Sequence, residues 1–192
     1  MSTDKLQVAK RDFLKGCKVD ISENESDNVK KASYKGIQAT AQRSRLYSRT
    51  MDHSEIVDYW IKRLAEISES YKTVRSFDEF LNDVLTLQND MNTRFPDGFV
   101  NGFKGYVPEF RLAHAQKSLS VCLKHLWCMG VIPEPPMCPL DRRILWAVGI
   151  HECWTKLNCK EEYLRWKEKI EEQAEKAHCT MPVWELTEWN NN

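Results

Sequence analysis

The sequence predicts an all-α protein, folded as one compact bundle of six or seven helices around a buried central helix. Gly and Pro occur only seven times each in 192 residues, so turns are few and the elements between them are long. Apolar residues recur at helical spacing in several segments, and no set of short alternating segments supports a sheet of several strands. A hydrophobic content of 42% and this length suit one core rather than two.

Residues 1–28 are predicted as a polar, partly flexible segment ahead of a single helical domain over residues 29–192. Within this segment an apolar group that includes Phe13 and Leu14 is expected to form a short docking helix. The run SENESDN that follows is typical of a loop or a tether.

The next stretch, from Val29 to Met51, has no acidic residue and is the most basic part of the chain. Its apolar spacing is only roughly helical, and Gly36 disfavours a helix interior. The basic side chains are candidates for binding nucleic-acid phosphate, and the alternative is a solvated face that pairs with the acidic region 52–90. The candidate phosphate ligands are Lys30, Lys31, Lys35, Arg43 and Arg45.

Two helices with clear start signals follow. The first has one apolar face over residues 56–67, and Asp52 or Ser54 is expected to cap its first turn. Ser76 stands three residues before Glu79, a capping-box pattern that predicts the start of the second helix.

Residues 94–110 are predicted as a compact aromatic loop, because they hold three of the seven glycines and two of the seven prolines. Its aromatic side chains either line an apolar pocket for a ligand or partner, or fill the core, which is the commoner use of large aromatics. These side chains are Phe99, Phe103, Tyr106 and Phe110.

The strongest helix is predicted over about residues 109–129. Its C-terminal end is apolar on more than one face, which indicates a central, buried position. Gly130 is a natural stop, and the proline-rich stretch after it should be extended. Pro139 is expected to be the first residue of the next helix.

The C-terminal part is predicted to hold one more long helix. Asn158, with Glu161 three residues later, forms a second capping-box pattern before a stripe of apolar residues on an otherwise charged helix. Pro182 is expected to break this helix, leaving Trp184 and Trp189 to pin a tail to the body.

Charge and cysteine usage restrict the classes of function. The 28 basic and 28 acidic residues cancel, so a nucleic-acid role needs a local patch. No stretch approaches the roughly 18 apolar residues of a membrane span, and no secretory signal is recognisable, so we expect a cytoplasmic protein without membrane contact. The seven cysteines are expected to be reduced thiols.

Motifs for metal, cofactor or nucleotide binding are absent from the sequence. His151, Cys153 and Cys159 are close in the chain, but no C-x-x-C pair supplies the spacing of a structural zinc site. No Walker loop, G-x-G-x-x-G or G-x-S-x-G occurs either. We therefore expect no metal and no cofactor, and cysteines that act as small apolar side chains.

Residues 111–145 carry the most specific chemical pattern. Lys117 lies near the start of the central helix, a proline-rich turn follows, and Asp141 stands before Arg142 and Arg143 at the next helix start. Such an Asp stabilises a helix N-terminus, and the two arginines could pair with it or with phosphate. A lysine desolvated by apolar neighbours could be nucleophilic. The alternative is that Lys117 and Asp141 serve only stability.

This order resembles the helix-hairpin-helix DNA glycosylases, all-α enzymes with a lysine at a helix start and an aspartate after a loop. The resemblance implies that Lys117 is the Schiff-base nucleophile and Asp141 the activating carboxylate. It covers about 35 residues, and the glycine-rich hairpin that precedes the lysine in that family reads RLAHAQ here. The chain as a whole resembles orphan proteins of bacterial mobile gene cassettes and phage genomes, which implies no activity.

The sequence thus predicts a small intracellular helical binding protein. Its partner is an unidentified protein or a small-molecule ligand, and a homodimer is one arrangement left open. The alternative is a DNA-binding protein with glycosylase-like base excision. Whether the protein is an enzyme is not decided by any motif.

Overall fold

The protein folds into eight α-helices in a computed structural model that describes residues 3–41, 46–49, 51–100 and 108–190. The described residues contain no β-sheet, only one isolated bridge between Tyr47 and Phe99, so the all-α class is confirmed. The helices are α1 Thr3–Gly16, α2 Glu25–Ala41, α3 His53–Glu69, α4 Phe77–Arg94, α5 Leu112–Met129, α6 Arg142–Ala147, α7 Lys160–Lys176 and α8 Met181–Asn190. Short 3-10 turns lie at Ser70–Lys72 and Trp154–Lys156.

Helix α5 is the predicted central helix, and every one of its residues is buried. It packs against α1, α2, α3 and α4, so its polar side chains as well as its apolar ones face other helices. Its first backbone N–H groups find acceptors in residues distant in sequence. The Leu112 N–H donates to the Asn158 side chain at 3.0 Å, and the Ala113 N–H donates to the Leu157 carbonyl at 2.9 Å. Gly130, with a left-handed φ of 79°, ends it as predicted.

Helix α2 crosses α5 at a close approach that only glycine permits. A Cβ at Gly36 would overlap the backbone carbonyl oxygen of Ser118. Ala32 and Ser33 are also fully buried on this side of α2. The glycine that weakens the helix prediction is therefore the residue that lets the two backbones meet.

The predicted caps of α3 and α4 are confirmed. The Asp52 carboxylate accepts the Ser54 backbone N–H at 2.8 Å. At α4, the Ser76 backbone donates to the Glu79 carboxylate at 2.8 Å and Glu79 N–H donates back to the Ser76 hydroxyl at 3.3 Å. Both helices start where a short side chain satisfies an otherwise orphaned N–H.

Three other boundary predictions are wrong. Pro139 lies outside any helix, and α6 begins two residues after Leu140 with Asp141 as its N-cap. Helix α7 has Cys159 as its N-cap without a side-chain hydrogen bond, because Asn158 is engaged with α4 and α5 instead. Pro182 lies in the first turn of α8, where a missing N–H costs no intrahelical bond.

The N-terminal segment contributes a full helix. Phe13 and Leu14 of α1 are 3% and 4% exposed and belong to the hydrophobic core. Lys10 of α1 donates to the Trp127 carbonyl at 3.3 Å, and α1 also packs against α8. Among the described helices, none is long and apolar enough to cross a membrane.

Candidate ligand cleft

A cleft of about 920 Å³ opens where α1, α2, α5, α6 and α8 converge, with the 151–155 loop at one side. Helix α5 supplies its floor. Its lining includes Phe13, Lys35, Lys117, Val121, Lys124, His125, Asp141, Arg142, Arg143, Trp146, Glu152, Glu185 and Trp189. Because five elements distant in sequence contribute, the cleft exists only in the folded chain.

The cleft is a local positive region in a protein of zero net charge. Its lining includes five cationic side chains and only three carboxylates. Walls of low dielectric constant focus such a charge and raise the local concentration of anions. The cations are Lys35, Lys117, Lys124, Arg142 and Arg143, and the carboxylates are Asp141, Glu152 and Glu185.

Lys117 and Asp141 meet in this cleft, with Nζ and Oδ2 2.8 Å apart. The other Asp141 oxygen accepts the N–H groups of Arg143 and Ile144, at 3.0 and 3.1 Å, which caps α6. Burial raises the pKa of Asp141, but the attraction and hydrogen bond of Lys117 outweigh it and hold that pKa below its usual value. The carboxylate is therefore ionised at neutral pH and forms an ion pair with Lys117.

A second ion pair lies deeper. Lys124 Nζ and Glu185 Oε2 are 2.6 Å apart, and their side chains are only 4% and 5% exposed. The ammonium also lies 4.2 Å from the ring centroid of Phe13 and 5.6 Å from that of Trp189. A buried charge without a partner is strongly destabilising, so the two charges stabilise each other. The pair thereby links α8 to α5, and α1 packs over it.

His125 presents an unused acceptor at the same depth. Its Nδ1 is 2.8 Å from the Val121 carbonyl, which requires a proton on Nδ1 and leaves Nε2 as an acceptor. Burial, followed by the charge of Lys124, lowers the pKa of His125 to about 4, so the ring is neutral at pH 7. Nε2 is buried and has no hydrogen-bond partner among the described residues. A hydroxyl or N–H of a ligand would supply one.

The rim of the cleft at α6 combines arginines with an exposed tryptophan. The Arg142 guanidinium lies 5.2 Å from the ring centroid of Trp146, whose side chain remains 53% exposed. Arg143 carries a guanidinium nitrogen, Nη2, that is buried and unpartnered within the described part of the chain. Such a donor is costly to leave unpaired.

The predicted nucleic-acid residues divide between the cleft and the outer surface. Lys35 lines the cleft, and its Nζ donates to the Cys17 carbonyl at 2.8 Å. Lys30 and Lys31 are exposed on α2 away from the cleft lining, and Lys31 donates to the Asp20 carbonyl at 2.9 Å. Arg43 and Arg45 lie outside the described residues.

The predicted aromatic pocket is only partly described. Phe99 and Phe110 are buried, with ring centroids 5.1 Å apart, and Phe110 meets Trp60 edge-on at 4.8 Å. These two rings fill the core. Phe103 and Tyr106 lie outside the described residues, so a pocket that includes them stays a prediction.

Sequence reasoning missed the deep part of the cleft. Lys124 and His125 interrupt the apolar run of α5, and Glu185 interrupts the run MPVWEL. Charged residues are rarely buried unless they are paired, so these interruptions were the available signal. That Glu185 is the partner of Lys124 could be seen only from the packing of α8 on the bundle.

All seven cysteines are free. Within the described ranges, no three His, Cys, Asp or Glu side chains lie close enough together to hold a metal ion. Comparison with family models, with curated proteins and with solved structures finds no match for this chain. The fold and the site define a class only: an all-α bundle with a basic cleft along its central helix.

Proposed function

We propose that this protein is a small helical binding protein that holds an anionic small molecule in the cleft. The observation that carries the proposal is the buried Nη2 of Arg143, which has no hydrogen-bond partner among the described residues and lies at the edge of a cleft rich in cations. An anionic oxygen at this point would accept a charge-assisted hydrogen bond, and arginine offers paired donors that match carboxylate and phosphate geometry.

The volume of the cleft supports a ligand larger than an inorganic ion. A volume of about 920 Å³ falls within the range of roughly 300–1,000 Å³ that is usual for small-molecule sites. The unused acceptor of His125 suits the same ligand, since it would meet a hydroxyl or N–H group.

Calorimetric titration with a panel of phosphate monoesters and dicarboxylates tests this proposal. We expect saturable binding of at least one class, weakened at least about tenfold by Arg143→Gln through the loss of a charge-assisted hydrogen bond. The matched control is Arg94→Gln, because Arg94 is an exposed arginine of α4 outside the cleft lining. If the wild-type protein binds none of the panel, or if both variants bind alike, the proposal is wrong.

DNA binding with glycosylase-like chemistry is the second candidate, and the 2.8 Å contact of Lys117 with Asp141 favours it. The resemblance to helix-hairpin-helix glycosylases assigns these two residues to nucleophile and activating carboxylate. Lysine attacks as the neutral amine, so Lys117 must first lose its proton. Asp141, whose pKa is held below its usual value, is a poor acceptor for that proton, so in this candidate the carboxylate positions Lys117 and another base removes the proton.

Borohydride trapping on lesion-containing duplexes tests this second candidate. If this candidate is right, we expect a covalent adduct that is lost in Lys117→Met, and an affinity for the duplex that falls steeply with salt. Lys30→Gln should weaken duplex binding but leave small anions unaffected, because Lys30 lies outside the cleft lining. Absence of an adduct across several lesions, with no duplex binding at low salt, would exclude the candidate.

A further inference from the structure

We infer that the ligand of the cleft is an aromatic anion of the nucleotide class, with its planar ring on Trp146 and its phosphate at Arg143. This inference rests on the proposed anion-binding function and specifies the ligand chemistry of the same site. Three features carry it: the exposed indole of Trp146, the guanidinium groups of Arg142 and Arg143, and Nε2 of His125, which has no hydrogen-bond partner among the described residues.

The indole of Trp146 is the first feature. Tryptophan is usually buried for most of its surface, yet Trp146 stays 53% exposed in the wall of the cleft even with Arg142 over its ring. An exposed aromatic face next to a guanidinium plane is a platform for a flat ring, because aromatic rings and arginine both stack on heterocycles.

The arginines supply the second feature. Arg143 and Trp146 are three positions apart on α6, so their side chains project from neighbouring points of the helix surface. The Arg142 guanidinium lies over the indole at 5.2 Å from its ring centroid, and the buried Nη2 of Arg143 has no partner among the described residues, so both groups have donors for an anion. A ring and a phosphate joined by one sugar would engage both at once.

His125 is the third feature. Its Nε2 accepts nothing in the described structure and lines the same cleft as Trp146. A nucleotide carries hydroxyl groups on the sugar and N–H groups on most bases, and either kind of donor would satisfy this nitrogen. An inorganic anion would leave most of the cleft of about 920 Å³ unfilled.

The decisive comparison is calorimetric binding of AMP and of ribose 5-phosphate, which share the phosphate and sugar and differ in the ring. We expect AMP to bind about tenfold more tightly or better, since base stacking contributes on that order. Trp146→Leu should remove the preference and Trp146→Phe should retain most of it. Both variants should keep the wild-type melting temperature, because the side chain is largely exposed.

The outcomes separate the ring from the anion site. Equal affinity for AMP and ribose 5-phosphate, or a preference that survives Trp146→Leu, would overturn the aromatic assignment and leave the anion site standing. Failure of both ligands, together with failure of every anion in the panel above, would overturn the proposed function as well.

A single-stranded oligonucleotide distinguishes two sources of the same chemistry. If it binds more tightly than AMP and loses affinity on Trp146→Leu, the cleft holds a nucleotide of a nucleic-acid strand. If AMP binds at least as tightly as the strand and also loses affinity on Trp146→Leu, the ligand is a free nucleotide. Either result supports the aromatic assignment.

Discussion

Two histidines buried in α5 make the stability of this protein sensitive to acid. The backbone N–H of Arg111 donates to Nδ1 of His114 at 3.0 Å, which requires that nitrogen to be unprotonated. Burial, followed by the charge of Arg111, lowers the pKa of His114 to about 3, and burial lowers that of His125 to about 4. Both groups have folded pKa values below the unfolded value of about 6.5.

The first prediction concerns this pH dependence. Between about pH 4 and 6.5 the unfolded chain binds more protons, so stability is greatest above pH 6.5 and falls as the pH is lowered. Each histidine should cost about 2 kcal/mol on going from pH 7.5 to pH 5. Urea unfolding at both pH values should show that His114→Gln has a smaller decline than wild type, since glutamine can still accept from the Arg111 N–H.

The control for this measurement is His151→Gln, because His151 is exposed. It should reproduce the wild-type decline. A His114→Gln protein with the same pH dependence as wild type would contradict the burial of a neutral His114.

The contact of α2 with α5 depends on one glycine. Gly36→Ala raises helix propensity by about 1 kcal/mol but drives a Cβ into the Ser118 carbonyl. The new Cβ and the Ser118 carbonyl oxygen are both held rigidly by their helices, so the clash can be relieved only if the helices separate. We expect a net loss of about 1–3 kcal/mol in the free energy of unfolding. The comparison is Ala39→Gly, because Ala39 lies on the same helix and is half-buried. This change lowers helix propensity without creating a clash. A Gly36→Ala protein as stable as wild type would contradict the close crossing.

The contact of α8 with α5 depends on one ion pair. Glu185→Gln leaves the ammonium of Lys124 buried without its carboxylate, and we expect a loss of about 3–5 kcal/mol. The double variant Glu185→Gln with Lys124→Met removes both charges and should recover much of that loss. Chemical denaturation of the four proteins in this cycle gives the coupling, and a coupling near zero would show that the pair does not hold the helices together.

At the scale of the whole molecule, the role of the N-terminal segment can be tested. Helix α1 contributes Phe13 and Leu14 to the core and its Ala9 carbonyl accepts from the Asn190 side chain at 3.0 Å. Deleting residues 1–20 should therefore lower the melting temperature by about 10 °C, since each lost core side chain contributes about 1.5–3 kcal/mol.

Val8→Ala provides the local control, because Val8 is 45% exposed and little burial is lost. It should melt close to wild type. An unchanged melting temperature after the deletion would instead support a tether that does not pack on the domain.

Local sequence determined what depends on near neighbours. Helical spacing of apolar residues gave the all-α class and the buried α5, and the caps at Asp52, Ser76 and Gly130 fixed helix ends through hydrogen bonds or backbone conformation within a few residues. The sequence singled out Lys117 and Asp141 separately, and the resemblance to helix-hairpin-helix glycosylases placed them in one site, but their contact appears only in the tertiary structure.

Tertiary structure decided what depends on distant neighbours. Asn158 fits a local capping box, yet its side-chain oxygen accepts from the Gln88 side chain of α4 and from the Leu112 N–H of α5, because helix packing brings these distant donors to it. The burial of Lys124 depends on Glu185 arriving from another helix. The cleft itself follows from how five elements pack, which no spacing along the chain encodes, since chain-local patterns specify helices and only long-range packing specifies the spaces between them.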